Sequence, residues 1–285
     1  MSEAARDLAK EAGELLAFLR TLDAGDWARK TRFLDWTPWD VVAHLHYFDE
    51  VSLAAVAGEE AFAEQRRQLL ASVGSGRSAR SLAQDALGHL PGPELLERWF
   101  VTCCELARRL EACEPKRRLP WFGPDMSAPM FATARYMETW AHAQEIYDLK
   151  GIARVHTDRI RHIVEIGIRT YRWTFVNRRL EVPGPLPFVR LLAPSGAIWE
   201  YGETDAANRI EGLAVDFCST VTQTRHVRDT ALRVEGPVAG RWMEIAQCFA
   251  GPPADPPAPG YRTGSETSDQ RAPRDAVAAG RDRAV

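Results

Sequence analysis

The sequence predicts an α+β protein, with a helical bundle in its first half and a smaller α+β unit behind it. Three observations carry that expectation. Residues 3–150 repeat long segments of helical apolar spacing divided by short turn signals. After Gly151 the segments shorten, and two strand-like runs flank Pro194-Ser195-Gly196, a hairpin signature. From Pro252 the composition turns to Pro, Gly, Ser and charge, with little left to bury. The expected division is therefore 1–150 for the bundle, 151–253 for the α+β unit and 254–285 for a disordered tail.

The first helix spans about residues 3–22. The second starts at Thr37, an N-cap with Pro38 at the first helical position, and ends at Gly58. A third stops at Gly74-Ser75-Gly76, and a short fourth is closed by Pro91-Gly92-Pro93. The fifth places apolar residues at 95, 96, 99, 100, 103, 106 and 107. The Pro/Gly-broken stretch "EPKRRLPWFGPDM" then reads as loop. A sixth helix runs from about Ser127 to Leu149 before Gly151. Long helices on short connections make a bundle. In the second half, "TDRIRHIVEIGIRTYRWTFVNRR" reads as one helix and "NRIEGLAVDFCSTVTQ" as mostly helix. "TALRVEG" reads as strand, and "VAGRWMEIAQCFAG" as a closing helix.

The formal charge of −3 is spread over 285 residues without a basic block, which argues against a nucleic-acid partner. No apolar run reaches membrane-spanning length, and the N-terminus is amphipathic, unlike a signal peptide. The five cysteines are odd in number and lack Cys-x-x-Cys spacing, which suits reduced thiols in a cytoplasmic protein. A monomer or homodimer acting on a small molecule fits this composition.

The chemistry concentrates in "ARYMETWAHAQEIYDLKG", where Glu138 and His142 lie four residues apart on one helical face. A zinc-like ion needs at least three protein ligands, so the third must come from another helix. Among seven histidines, His44 shares the inward stripe of Val41, Leu45 and Phe48, whereas His46 falls with Val42, Glu50 and Leu53. Two imidazoles and a carboxylate suit Zn²⁺ first among divalent metals, with Ni²⁺, Fe²⁺ or Mn²⁺ also compatible. Two alternatives stand beside a metal: an acid/base pair, or two core side chains bonded to each other.

The stretch "WTPWDVVAHL", followed about 100 residues later by "RYMETWAHAQEI", resembles the DinB-like superfamily, in the branch of mycothiol-dependent maleylpyruvate isomerase. The C-terminal "LRVEGPVAGRWMEIAQCFAGPP" is similar to an uncharacterised metal-binding subfamily of that branch. The resemblance implies a four-helix bundle, with His44, Glu138 and His142 as ligands of a divalent metal taken as zinc. It also implies mycothiol as a cosubstrate.

Metal-dependent thiol chemistry, a transferase or isomerase acting on an electrophile, is the first expectation. Arg135, one turn before Glu138, is the first candidate for holding a substrate carboxylate, ahead of Arg117 and Arg118. Glu145 is the acid/base candidate, with Asp148 behind it. Aromatic residues, among them Trp36, Trp121 and Phe122, are candidates for lining an apolar pocket. The alternatives are a thiol-independent metal enzyme of hydration, hydrolysis, cyclisation or isomerisation, and a non-catalytic protein that sequesters a ligand.

Overall fold

Four long helices enclose the interior of the first half, and two shorter ones lie between them. In chain order these are α1 (Glu3–Leu19), α2 (Pro38–Ala57), α3 (Glu59–Gly74), α4 (Ala79–Leu87), α5 (Gly92–Ala112) and α6 (Ala128–Lys150). The computed structural model describes residues 2–74, 76–204 and 207–262, and the chain divides between Leu149 and Lys150 into two compact units. In the first unit Ala4 and Ala5 of α1, Val51 and Ala55 of α2, Leu106 and Leu110 of α5, and Phe131 and Ala132 of α6 share one buried cluster. Small residues such as Ala4, Ala5 and Ala55 pack there with the larger Leu106, Leu110 and Phe131.

The start of α2 is fixed with unusual redundancy. Thr37 and Asp40 form a capping box, with Pro38 at the first position. The Asp40 carboxylate also accepts Arg80 through Nε at 3.0 Å and Nη2 at 2.7 Å, and Gln84 Nε2 at 2.8 Å, both from α4. Burial alone would raise the Asp40 carboxyl, but the bonds from Arg80, Thr37 and Gln84 outweigh it and hold the group below the ordinary carboxylate range.

The loop read as irregular contains a two-residue ribbon, β1 (Arg118–Leu119) antiparallel to β2 (Met126–Ser127). It delivers the chain to α6, where the Ala128 amide donates to the Arg117 carbonyl at 3.0 Å.

In the second unit, α7 (Arg161–Arg169) and α8 (Tyr171–Asn177) replace the single helix expected there. They part at Thr170, which leaves helical dihedrals at φ −91° and ψ 6° while its hydroxyl donates back to Ile166 and Gly167 carbonyls. A four-stranded sheet follows, built from β3 (Phe188–Leu192), β4 (Ile198–Tyr201), β5 (Arg209–Leu213) and β6 (Arg233–Glu235) in the order β4-β3-β5-β6. β3 pairs antiparallel with β4 across the Pro-Ser-Gly turn and parallel with β5, and β5 is antiparallel to β6.

The segment "NRIEGLAVDFCSTVTQ", expected to be mostly helix, is divided between β5 and α9 (Ala214–Val221). Its apolar run has no single period, so pairing with β3 decides the conformation of its first five residues. Gly212 takes φ 154° there, and a Cβ would meet Leu232 at 3.0 Å. The last helix, α10 (Pro237–Ile245), puts Trp242 against Tyr171 and Phe217 in the core of this unit.

Of the tail expected to be disordered, residues 263–285 lie outside the described residues. Residues 254–262 have no regular structure but are tied down by side-chain bonds. The Ala254 amide donates to Gln247 Oε1, Arg178 pairs with Asp255, and the Gly260 amide donates to Asp229. Composition predicts how little a segment can bury, and says nothing of polar groups elsewhere that reach out to it.

Replacing Asp40 by alanine removes the cap and the anchor for Arg80 together, and is expected to lower stability by about 2–4 kcal/mol in urea unfolding. Its folded-state carboxyl titrates lower than in the unfolded chain. The stabilisation is therefore present above the unfolded value of about 4 and is lost as pH falls below it. The Asp40→Ala protein is expected to lack that part of the acid sensitivity.

Candidate metal centre

The capped start of α2 sets which of its residues face inward. Val41 and Leu45 are fully buried on that stripe, and His44 lies beside them. From α6, Glu138 and His142 project one turn apart toward the same point. Among the described residues, His44, Glu138 and His142 are the one group of histidine, cysteine or acidic side chains whose ligand atoms all lie within 4.8 Å of one another.

Glu138 Oε2 is 3.7 Å from His44 Nε2 and 3.5 Å from His142 Nε2. These spacings exceed a good hydrogen bond. They match the separation of about 3.4 Å between two ligands that each sit about 2.1 Å from a tetrahedral ion. Both nitrogens of His44 are buried without a hydrogen-bond partner.

The protonation states also fit. Burial, helped by the nearby His142 and opposed by Glu138, pushes His44 down to about 4, so its imidazole is neutral at physiological pH. Burial works to raise Glu138, but the imidazoles of His142 and His44 beside it hold its carboxyl well below the usual range. A neutral imidazole and an ionised carboxylate are the forms that donate to a cation. The residues present thus fit a divalent metal in number, donor type and spacing.

Aromatic rings surround the trio. Trp36 stacks on His142, Phe33 meets His142 edge-on, and Phe48 packs against His44. Trp121 and Phe122, from the loop before α6, continue this cluster to Phe48 and Phe62.

The other expected site residues are placed differently. Arg135 is buried against Asp49 of α2, where its Nε donates to Oδ1 at 3.0 Å and its Nη2 lies 2.9 Å from the same oxygen. Its guanidinium is therefore committed inside the bundle. Burial raises the Asp49 carboxyl, while Arg135 and the indole N–H of Trp99, which donates at 3.0 Å, act to lower it. Arg117 donates to the Val56 carbonyl and Arg118 to the Asp125 carbonyl, so both are engaged with backbone. Glu145 is buried two turns beyond Glu138 and outside the ligand group, and Asp148 accepts from Gln144 at 2.9 Å. His46 is fully buried on another stripe of α2, with Nε2 3.5 Å from Glu50.

Asp49 did not stand out in the sequence. It follows Val41 and Leu45 at the same four-residue interval, and an acid on a buried stripe requires a cation opposite it.

The model of the mycothiol maleylpyruvate isomerase N-terminal domain matches residues 8–147. An uncharacterised protein of Mycobacterium tuberculosis, found in two strains, is 40% identical over 247 residues, covering 87% of this chain and 95% of its own length. A crystal structure of the mycothiol-dependent maleylpyruvate isomerase aligns over 76% of this chain and 85% of its own, at 14% identity and a TM-score of 0.45. A mutant form of that enzyme gives 0.44. The chain belongs to the mycothiol maleylpyruvate isomerase N-terminal domain family.

Two outcomes are expected from substitutions here. His44→Ala and Glu138→Ala lose stoichiometric divalent metal by elemental analysis, a larger effect than the ~10–100-fold that follows loss of an outer partner. His46→Gln keeps it. Stoichiometric metal in both alanine variants would remove these residues as ligands. Separately, Asp49→Ala strands the Arg135 charge and should cost about 3–5 kcal/mol, whereas Asp49→Leu with Arg135→Met together should recover most of that loss in urea unfolding.

Proposed function

We propose that this member of the family is a metal-dependent enzyme that uses mycothiol to transfer to, or isomerise, a small electrophile. The observation that carries the proposal is the convergence of His44, Glu138 and His142 within 4.8 Å in the interior of the family-defining bundle. These three side chains would hold a divalent ion, zinc first, and such an ion supplies Lewis acidity that favours a thiol in its thiolate form. The isomerase of known structure is named for mycothiol, which makes that thiol the first to test.

The chain's own residues have separable tasks. His44 stays neutral because burial, with His142 and Arg135 nearby, disfavours its proton. Arg135, locked to Asp49, contributes through that field and through the position of α6 rather than by gripping a substrate. Phe33, Trp36 and Phe48 exclude water from the two imidazoles, which strengthens electrostatic interactions there. Glu145 remains the candidate for moving a proton to or from the reacting thiol or substrate.

The chemistry balances simply. The S–H proton leaves, a C–S bond forms to an activated alkene, and the π pair moves toward its carbonyl. Rotation about the C–C bond that has become single, then return of that pair with expulsion of thiolate, completes an isomerisation. Protonation of the carbon instead retains the thiol, which is transfer.

Incubating the purified chain with α,β-unsaturated carbonyl, quinone and epoxide electrophiles, with and without mycothiol, tests this directly. Consumption is expected only with both thiol and metal present, and it should be abolished by Glu138→Ala. Turnover indifferent to thiol would replace the proposal with thiol-independent metal chemistry. Stoichiometric retention of an unchanged small molecule would replace it with sequestration.

A further inference from the structure

Residues 31–36 form a tight turn beside the metal centre, closed by the Thr31 amide donating to the Trp36 carbonyl at 2.7 Å and the Trp36 amide to the Phe33 carbonyl at 2.8 Å. At its tip Leu34 and Asp35 both occupy the left-handed region, at φ 50° and 57°. Two successive non-glycine residues rarely adopt that conformation without compensation from their surroundings. Their own side chains offer little of it. Leu34 is 69% exposed, and the Asp35 carboxylate meets the exposed Lys30 at 3.3 Å.

The compensation comes from α4. Arg80 donates to the Leu34 carbonyl at 3.5 Å and to the Asp35 carbonyl at 3.3 Å. The same guanidinium is anchored on the Asp40 carboxylate that caps α2. One arginine thus ties the turn to the helix that carries His44.

The inner side of the turn holds two rings. The Trp36 indole lies parallel to the His142 imidazole, with centroids 5.5 Å apart and planes 3° apart, and Phe33 meets His142 edge-on at 5.3 Å. Trp36 also reaches His44, at 5.1 Å. Histidines that hold metals usually have the second ring nitrogen fixed by a carboxylate, a carbonyl or water. Among the described residues neither nitrogen of His44 has a hydrogen-bond partner, and His142 Nε2 lies 3.5 Å from Glu138.

We propose that Trp36 is a positioning residue for the centre, its indole fixing the plane of the His142 imidazole by stacking while the Arg80-held turn fixes the indole. The clamp rests on the metal-binding role of His44, Glu138 and His142 and adds a device that lies outside the ligand set. Offset-parallel stacking restricts ring tilt while leaving both imidazole nitrogens unused.

The test compares the full-length chain with Trp36→Ala, Trp36→Phe and Arg80→Gln, each stripped of metal. His142 ring-proton shifts are read by NMR in the metal-free proteins, and Co²⁺ is then titrated against a chelator while its visible absorption is recorded. In the unsubstituted chain the indole ring current should move the His142 protons upfield, and Trp36→Ala should abolish that displacement. Co²⁺ affinity should fall by about 10–100-fold in Trp36→Ala with an altered visible band. Trp36→Phe should recover most of the affinity, and Arg80→Gln should move every readout the same way by less.

A folded Trp36→Ala protein with unchanged His142 shifts, Co²⁺ affinity and spectrum overturns the clamp and leaves the ligand set standing. If Trp36→Ala does not fold, unchanged His142 shifts and spectrum in Arg80→Gln overturn it. An unsubstituted chain that takes up no Co²⁺ overturns the centre and the clamp with it.

Discussion

The buried pair between Asp49 of α2 and Arg135 of α6 sets the register on which the centre depends. Asp49 lies five residues beyond His44, and Arg135 lies five before the midpoint of Glu138 and His142. At a rise of about 1.5 Å per residue, each offset is about 7.5 Å along its helix. The two helices run in opposite directions at this contact, so matching offsets place His44 opposite the other two ligands. Sliding α6 by one turn would bury two unpaired charges and separate the trio in the same movement. A pair of this kind adds little net stability, because desolvation offsets most of the attraction, but wrong pairings are costly. Its contribution is to select one alignment of α2 on α6.

That selection explains why the convergence of His44, Glu138 and His142 was legible in the sequence and its surroundings were not. Glu138 and His142 announce themselves by a four-residue interval within one helix, and His44 separates from His46 by which stripe of α2 it shares. Both inferences need only helical periodicity. The engagement of Arg135 required knowing what stood across the interface, and a cation one turn from a carboxylate suggests a substrate clamp until its partner is seen. The turn at 31–36 was less legible still. Nothing in "TRFLDW" marks two left-handed residues without glycine, because the compensation comes from Arg80, more than forty residues away.

The second unit follows the same division. The hairpin around Pro194-Ser195-Gly196 is local chemistry and was visible, and the structure gives Gly196 a φ of 87° at its turn. The split of residues 208–223 into β5 and α9 depends on a parallel partner formed nearly twenty residues earlier, so propensity alone could not place it. The break at Thr170 belongs to a third kind. Threonine is tolerated in helices, and only its back-bonded hydroxyl together with the packing of Gly167 on Phe217 and Val221 shows why the chain turns there.

Charge closes the account of the first unit. Asp49 and Arg135 cancel each other inside the bundle. Of His44, Glu138 and His142, burial with His142 and Arg135 nearby keeps His44 neutral, and the Glu138 carboxylate is ionised. The Glu138 carboxylate therefore lies beside two imidazoles against which Phe33, Trp36 and Phe48 pack. The fixed cation nearest to it in sequence, Arg135, is already committed to Asp49. The pair that aligns the helices also occupies the arginine that stands one turn before Glu138.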